Sequence, residues 1–169
     1  PPDLGGWLDD TSNYSGSVEN MRGQESVTVE VGVQGNGGPN AFGPPAIHVD
    51  VGTTVQFEWT GDGLHNVVEE NEEFSSGTPV QAAGVNFEHT FEESGISNYY
   101  CDPHKSAGMK GSVVIGDDYP TVQPAAPSGP QVPNVAKSLG VAATVVMLAT
   151  LGMAYVFIKF GGDYGDFEA

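Results

Sequence analysis

In several runs between residues 26 and 115 apolar residues return at every second position, and that period constrains the fold more than any other feature. Val27, Val29 and Val31 alternate with polar neighbours; so do Ile47, Val49 and Val51, then Val55, Phe57 and Trp59. Successive side chains on a strand point to opposite faces, so each such run buries one face and solvates the other. Phe87 and Phe91 share a face by the same count, and residues 112–115 form a last apolar run. Clusters such as GNGGPN and TGDG supply turns between the runs. Several short strands at this spacing predict an all-β sandwich or barrel. No amphipathic helix of useful length interrupts them. The GNGG stretch (35–38) has no helix after it and reads as a turn, not a phosphate cradle.

The flanks are of a different character. Residues 1–24 are polar, Gly-rich and acidic, with Trp7 as an anchor onto the domain and Asn13-Tyr14-Ser15 matching the N-glycosylation sequon. The domain itself is expected over 25–117. Residues 118–138 follow as a spacer, because prolines at 120, 124, 127, 130 and 133 exclude ladder and helix and favour extended chain. At about 3.1 Å per residue it would reach on the order of 50 Å. Residues 139–158 are then uncharged and apolar, bracketed by Lys137 and Lys159. Twenty residues at about 1.5 Å each span roughly the 30 Å of a bilayer core, so a transmembrane helix is expected over 139–159, with an acidic tail at 160–169. One Lys on each side gives no positive-inside bias to orient it. Small residues at Gly140, Ala143, Ala149 and Gly152 would suit packing against another helix. The chain starts at Pro1 without a basic, apolar leader, the expectation for a mature form whose export signal has been removed.

Charge narrows the partners. With 22 Asp and Glu against 5 Lys and Arg, the formal net charge is −17, a surface that repels nucleic acid and anionic lipid headgroups. The 38% hydrophobic content and the strand patterns argue against disorder; adaptation to concentrated salt fits better. One cysteine excludes an internal disulfide.

That cysteine lies in YYCDPHKSAGMKG, residues 99–111, where Cys101, His104 and Met109 stand as C-x2-H-x4-M. A thiolate, imidazoles and a thioether are the donors of a one-electron copper site, in which sulfur suits Cu(I) and imidazole accepts Cu(II). A loop lets these side chains reach one ion where a strand would throw them to opposite faces, and Gly108 and Gly111 permit tight turns around Met109. A second histidine is offered by GDGLHNVVEE (61–70), where His65 follows a Gly-rich turn. Zinc fits less well, since a thioether is a poor zinc ligand, and a binuclear centre bridged by two thiolates needs a second cysteine. His48, between Ile47 and Val49, reads as a solvated strand residue. His89 shares parity with Phe87 and Phe91 and reads as a core histidine. Those two alone cannot build a second, catalytic copper site.

The segments PPAIHVDVGTTVQFEWTGDGLHNVV and YYCDPHKSAGMKGSVVI resemble the plastocyanin-like blue copper proteins, and specifically the halocyanins of halophilic archaea, over about residues 7–116. The resemblance implies a Greek-key cupredoxin β-sandwich of about eight strands, one copper cycling between Cu(I) and Cu(II), and His65, Cys101, His104 and Met109 as its ligands. It also implies that Asn66 holds the cysteine-bearing loop near the sulfur. An electron carrier is implied rather than an enzyme, on the extracytoplasmic face of the cell membrane. Its partners would be a quinol-oxidising cytochrome complex and a terminal oxidase of the respiratory chain. The C-terminal helix departs from the family, many of whose members look lipid-anchored at the N-terminus. Two rivals are a surface copper-storage or delivery protein and a metal-free β-sandwich stalk or adhesin. Residues 1–134 carry Arg22, Lys105 and Lys110 against 19 acids. Lys105 and Lys110, flanking the candidate ligands, either relieve negative potential where a partner docks or are ordinary surface lysines.

Overall fold

A computed structural model describes residues 1–123 and 134–161, the side chains of 134–145 excepted. Two compact units divide between Gln123 and Pro124.

The first unit is a two-sheet β-sandwich. One sheet runs β3 (Gly38–Gly43), β2 (Ser26–Gly35), β5 (Thr54–Thr60), β7 (Ala83–Thr90). The other runs β1 (Glu19–Asn20), β4 (Ala46–Val49), β9 (Lys110–Ile115), β8 (Gly95–Tyr100), β6 (Val68–Glu69). β2 pairs parallel with β5, Val29 opposite Phe57, and β4 pairs parallel with β9, Ile47 opposite Val113. The alternation predicts the inward faces: Val27, Val29, Val31, Ile47, Val49, Val55, Phe57 and Trp59 are all buried in one cluster between the sheets. Tyr99 closes its centre, with Phe42 and Phe57 edge-on at 4.9 and 5.3 Å. GNGG is the β2–β3 turn: Asn36 (φ 53°) and Gly37 (φ 84°) are both left-handed, as a two-residue hairpin turn twisted like its strands requires.

Four expectations need correction. Val51 does not continue the buried face of β4; it sits 47% exposed in the turn that precedes β5. His48 is not merely solvated: its Nε2 lies 2.8 Å from Gly116 O and its ring meets Tyr119 edge-on. Lys110 is no free surface cation, being ion-paired to Asp10 at 2.8 Å with a side chain 16% exposed. The spacer also begins later than residue 118. Asp3 N–H donates to Pro120 O, Val122 N–H donates to Pro1 O, and Pro2 bridges Thr121, so residues 120–122 run along the N-terminus.

The second unit holds one helix, α1 (Asn134–Phe160), 27 residues long. Proline supply ends at Pro133, so helix begins inside the stretch expected as spacer. The remainder of that spacer, 124–133, and the tail at 162–169 lie outside the described residues. The expected transmembrane span over 139–159 lies within α1, with the side chains of 139–145 outside the described ones; among the described residues no helix is long and apolar enough to cross a membrane.

Candidate metal centre

Local geometry brings the cysteine loop's donors together. Cys101 ends the extended run of β8 and caps a 3-10 helix, Asp102–Ala107, with Pro103 in its first turn. A 3-10 helix repeats every three residues, so positions three apart eclipse, and His104 stands over Cys101 with Nδ1 3.5 Å from Sγ. Gly108 then turns left-handed (φ 94°) and directs the chain back into β9, leaving Met109 fully buried beside Cys101 in the core cluster. The loop is closed by its own backbone: Cys101 N–H donates to Met109 O, and Met109 N–H to His104 O, both at 3.1 Å.

His65 arrives from the loop between β5 and β6. Its backbone exchanges two hydrogen bonds with Val80, at 3.1 and 2.9 Å, and Trp59 Nε1–H donates to its carbonyl at 3.1 Å. Its Nε2 lies 2.8 Å from Asp62 O. A carbonyl can only accept, so Nε2 carries the proton and Nδ1 presents a lone pair. That Nδ1 is 3.6 Å from Cys101 Sγ. Gly63 packs so closely that a Cβ there would stand 2.6 Å from His65 Nε2, so the glycine is what lets the ring sit where it does.

The donor atoms of His65, Cys101 and His104 lie within 4.8 Å of one another, the one such cluster among the described residues. Bond lengths of about 2.0 Å to nitrogen and about 2.3 Å to sulfur, the values zinc takes, would separate sulfur from nitrogen by roughly 3.7 Å at trigonal angles. The observed 3.5 and 3.6 Å therefore suit three donors sharing one ion. Burial pushes the Cys101 thiol up to about 11, opposed by the N–H groups of Asn66 and His104. Burial lowers His65 below its ordinary 6.5. The metal-free pocket thus favours neutral donors, and a cation is what would restore charge to the sulfur.

Asn66, 1% exposed, ties this assembly from behind. Its Oδ1 accepts from Asp102 N–H at 2.9 Å, while Nδ2 donates to Asp102 Oδ2 at 2.8 Å and to Gly77 O at 2.9 Å. His89 stays apart, tilted 30° against Phe74 at 4.2 Å and edge-on to Phe91 at 4.7 Å. Three residues hold the loop from outside: Trp7 donates to Gly111 O, and Thr11 and Asn36 donate to Gly108 O; sequence reasoning missed the last two. Trp7 was legible as an anchor, but Thr11 and Asn36 carry no local signal.

Residues 27–116 match the family model described as copper-binding proteins of the plastocyanin/azurin family. The chain is 47% identical over 110 residues to a halocyanin of Natronomonas pharaonis, covering 63% of this chain and 66% of that protein. It is 33% identical over 101 residues to a chloroplast plastocyanin of Fritillaria agrestis, covering 53% and 61%. The chain thus spans slightly under two thirds of these two relatives. A plastocyanin structure from Dryopteris crassirhizoma aligns with TM-score 0.44 at 27% identity, over 53% of this chain and 99% of that one.

Proposed function

We propose, for a chain that belongs to the plastocyanin/azurin family of copper-binding proteins, a membrane-tethered one-electron carrier with a single copper held by His65, Cys101, His104 and Met109. The observation that carries this reading is the convergence of two imidazole nitrogens and the thiol sulfur within 4.8 Å, inside an apolar core that also encloses Met109. Copper bound by such donors supplies one-electron exchange, since thiolate and imidazole favour its two oxidation states in opposite directions.

The chain's own residues do the rest. The carbonyl of Asp62 fixes the His65 tautomer, and Asn66 holds the cysteine loop at a set distance from His65. The aliphatic and aromatic packing around Cys101 and Met109 keeps water from the sulfurs. His65 is fully buried whereas His104 is only half-buried, so the His104 ring is the route by which an electron enters or leaves. Exposed Pro103 and Ala107 on the same 3-10 helix give a partner an apolar landing. Lys105, its Nζ 3.7 Å from the Tyr100 ring centroid, is the cation carried by that same 3-10 helix.

α1 is read as the anchor. Residues 139–158 carry no charge, 27 helical residues at about 1.5 Å each exceed a bilayer core, and its apolar side chains from Val146 to Phe160 are exposed, as lipid contact would have them. On this reading the copper domain lies within 1–123 and works on the extracytoplasmic face. There it passes electrons from a quinol-oxidising cytochrome complex to a terminal oxidase. The test is Cu(II) added to the full chain. An intense blue band that vanishes in Cys101→Ser supports the carrier, and a colourless protein refutes it. Partition into detergent that is lost on deleting residues 134–169 tests the anchor.

A further inference from the structure

The peptide between Gly108 and Met109 is gripped at both edges. Met109 N–H donates inward to His104 O at 3.1 Å. Gly108 O accepts from outside twice, from Thr11 Oγ1 at 3.0 Å and Asn36 Nδ2 at 2.9 Å. Beyond Met109, Gly111 O accepts from Trp7 Nε1–H at 3.0 Å. A peptide plane held at its N–H and its carbonyl resists rotation, so Met109's Cα is fixed in part by groups that lie 97 and 72 positions from Gly108 in sequence, beside the local bond that Lys110 N–H donates to Gly108 O at 2.9 Å.

The segment that supplies these donors is itself built firmly. Leu8 and Thr11 are 1% and 4% exposed. Successive turns link Trp7 to Leu4, Asp9 to Gly6, Thr11 to Leu8 and Tyr14 to Thr11. Ser12 and Asn36 exchange two bonds, Ser12 N–H to Asn36 Oδ1 at 2.8 Å and Asn36 N–H to Ser12 Oγ at 2.6 Å. Lys110 Nζ meets both Asp10 carboxylate oxygens at 2.8 Å and lies 5.1 Å from the Trp7 ring centroid. The contact extends to backbone: a Cβ on Gly108 would strike the Asp10 carbonyl.

We propose that residues 7–12, together with Asn36, form a positioning strap that sets where the Met109 thioether sits relative to Cys101 and the two imidazoles. The inference rests on the copper-centre reading above. A thioether is the weakest donor of the set, and the way such a weak ligand is held would tune the redox properties of a copper bound by these residues. A device that fixes the methionine backbone therefore acts on the metal's electronic structure without touching it, as supporting contacts around metal ligands do.

The experiment compares the copper-loaded full chain with Thr11→Val, Trp7→Phe, Thr11→Ser and Thr53→Val. Thr11→Val removes the hydroxyl while keeping the shape. Trp7→Phe removes the N–H while keeping a ring beneath Lys110. Thr53, 2% exposed, donates its hydroxyl to Gln24 O at the opposite end of β5 from His65, so Thr53→Val is the control for a buried hydroxyl lost elsewhere. Thr11→Val and Trp7→Phe should each alter the ratio of the two visible thiolate bands and the copper hyperfine splitting, and weaken copper affinity by about tenfold. Thr11→Ser should restore wild-type spectra, and Thr53→Val should lower the thermal midpoint with spectra unchanged. Wild-type spectra in both Thr11→Val and Trp7→Phe, with only the midpoint lowered, would overturn the strap; should Thr11→Val not fold, Trp7→Phe decides. A wild-type chain that takes up copper without colour would instead fail the copper-centre reading. The strap is then judged by amide exchange at Met109 and Lys110 in metal-free protein, which should quicken in Thr11→Val and would refute the strap if unchanged.

Discussion

Replacing Asn66 by alanine removes three hydrogen bonds at one stroke: one accepted from Asp102 N–H, one donated to Asp102 Oδ2 and one donated to Gly77 O. A neutral bond contributes about 1 kcal/mol net, and one to a carboxylate about 1.5 kcal/mol or more. Asp102 is exposed, so water recovers part of its loss. The sum is about 3 kcal/mol. For a folded unit of this size each kcal/mol moves the thermal midpoint by about 4 °C, so a fall of roughly 10 °C is expected. The measurement is thermal and urea unfolding of metal-free full chain, so that lost metal cannot masquerade as lost structure. Asn66→Asp sharpens the test. It keeps an acceptor for Asp102 N–H but loses both donated bonds and sets a carboxylate against that of Asp102 at the 2.8 Å contact. It should be less stable than Asn66→Ala near neutral pH and recover relative to it in acid, as the new carboxyl protonates. A loss below about 1 kcal/mol in Asn66→Ala, or an aspartate variant as stable as the alanine one at pH 7, would refute the view that Asn66 ties the cysteine loop.

Three further outcomes follow from the same structure. Since burial keeps the Cys101 thiol protonated to about 11, uptake of Cu(II) at pH 7 should release about one proton per ion; calorimetry in buffers of different ionisation enthalpy measures it, and a buffer-independent heat would contradict it. Burial lowers His65 and His89 below 6.5 in the folded state, so the unfolded chain binds protons first. Metal-free stability should then fall as pH drops below about 6.5 toward the folded values, read from urea midpoints between pH 8 and pH 5. Asn13, finally, should carry no glycan: the sequon's acceptor nitrogen Nδ2 already donates to Phe42 O at 2.8 Å, and intact mass of the native protein checks this.

What the sequence made legible, and what it hid, divides by the range of the interaction. Strands that bury one face announce themselves by period two, which is why β2 and β5 were readable residue by residue, and β4 up to Val49. β8 (GISNYY) and β3 (GPNAFG) were not, because most of their side chains are only half-buried and the alternation washes out. The two donor blocks around His65 and Cys101 could be found because each is a short local pattern of turn formers and ligand types. The distance between them could not, since it depends on pairing between strands far apart in sequence. Lys110 shows the same limit: a cation beside a candidate ligand suggested docking, and only the fold reveals Asp10 waiting for it 100 positions earlier. Pro120 misled for a related reason. Proline forbids a donated bond yet leaves its carbonyl free, and Asp3 N–H uses it.

The parallel pairing of β4 with β9 joins Ile47 to Val113, and such distant closure is slow because the intervening chain must be ordered before any contact rewards it. During synthesis, then, the pocket cannot exist until the chain has emerged past Ile115, and nascent segments carrying only His65 hold one of its three clustered donors. Loading with copper belongs after completion of the sandwich, when all three clustered donors stand within reach of one ion.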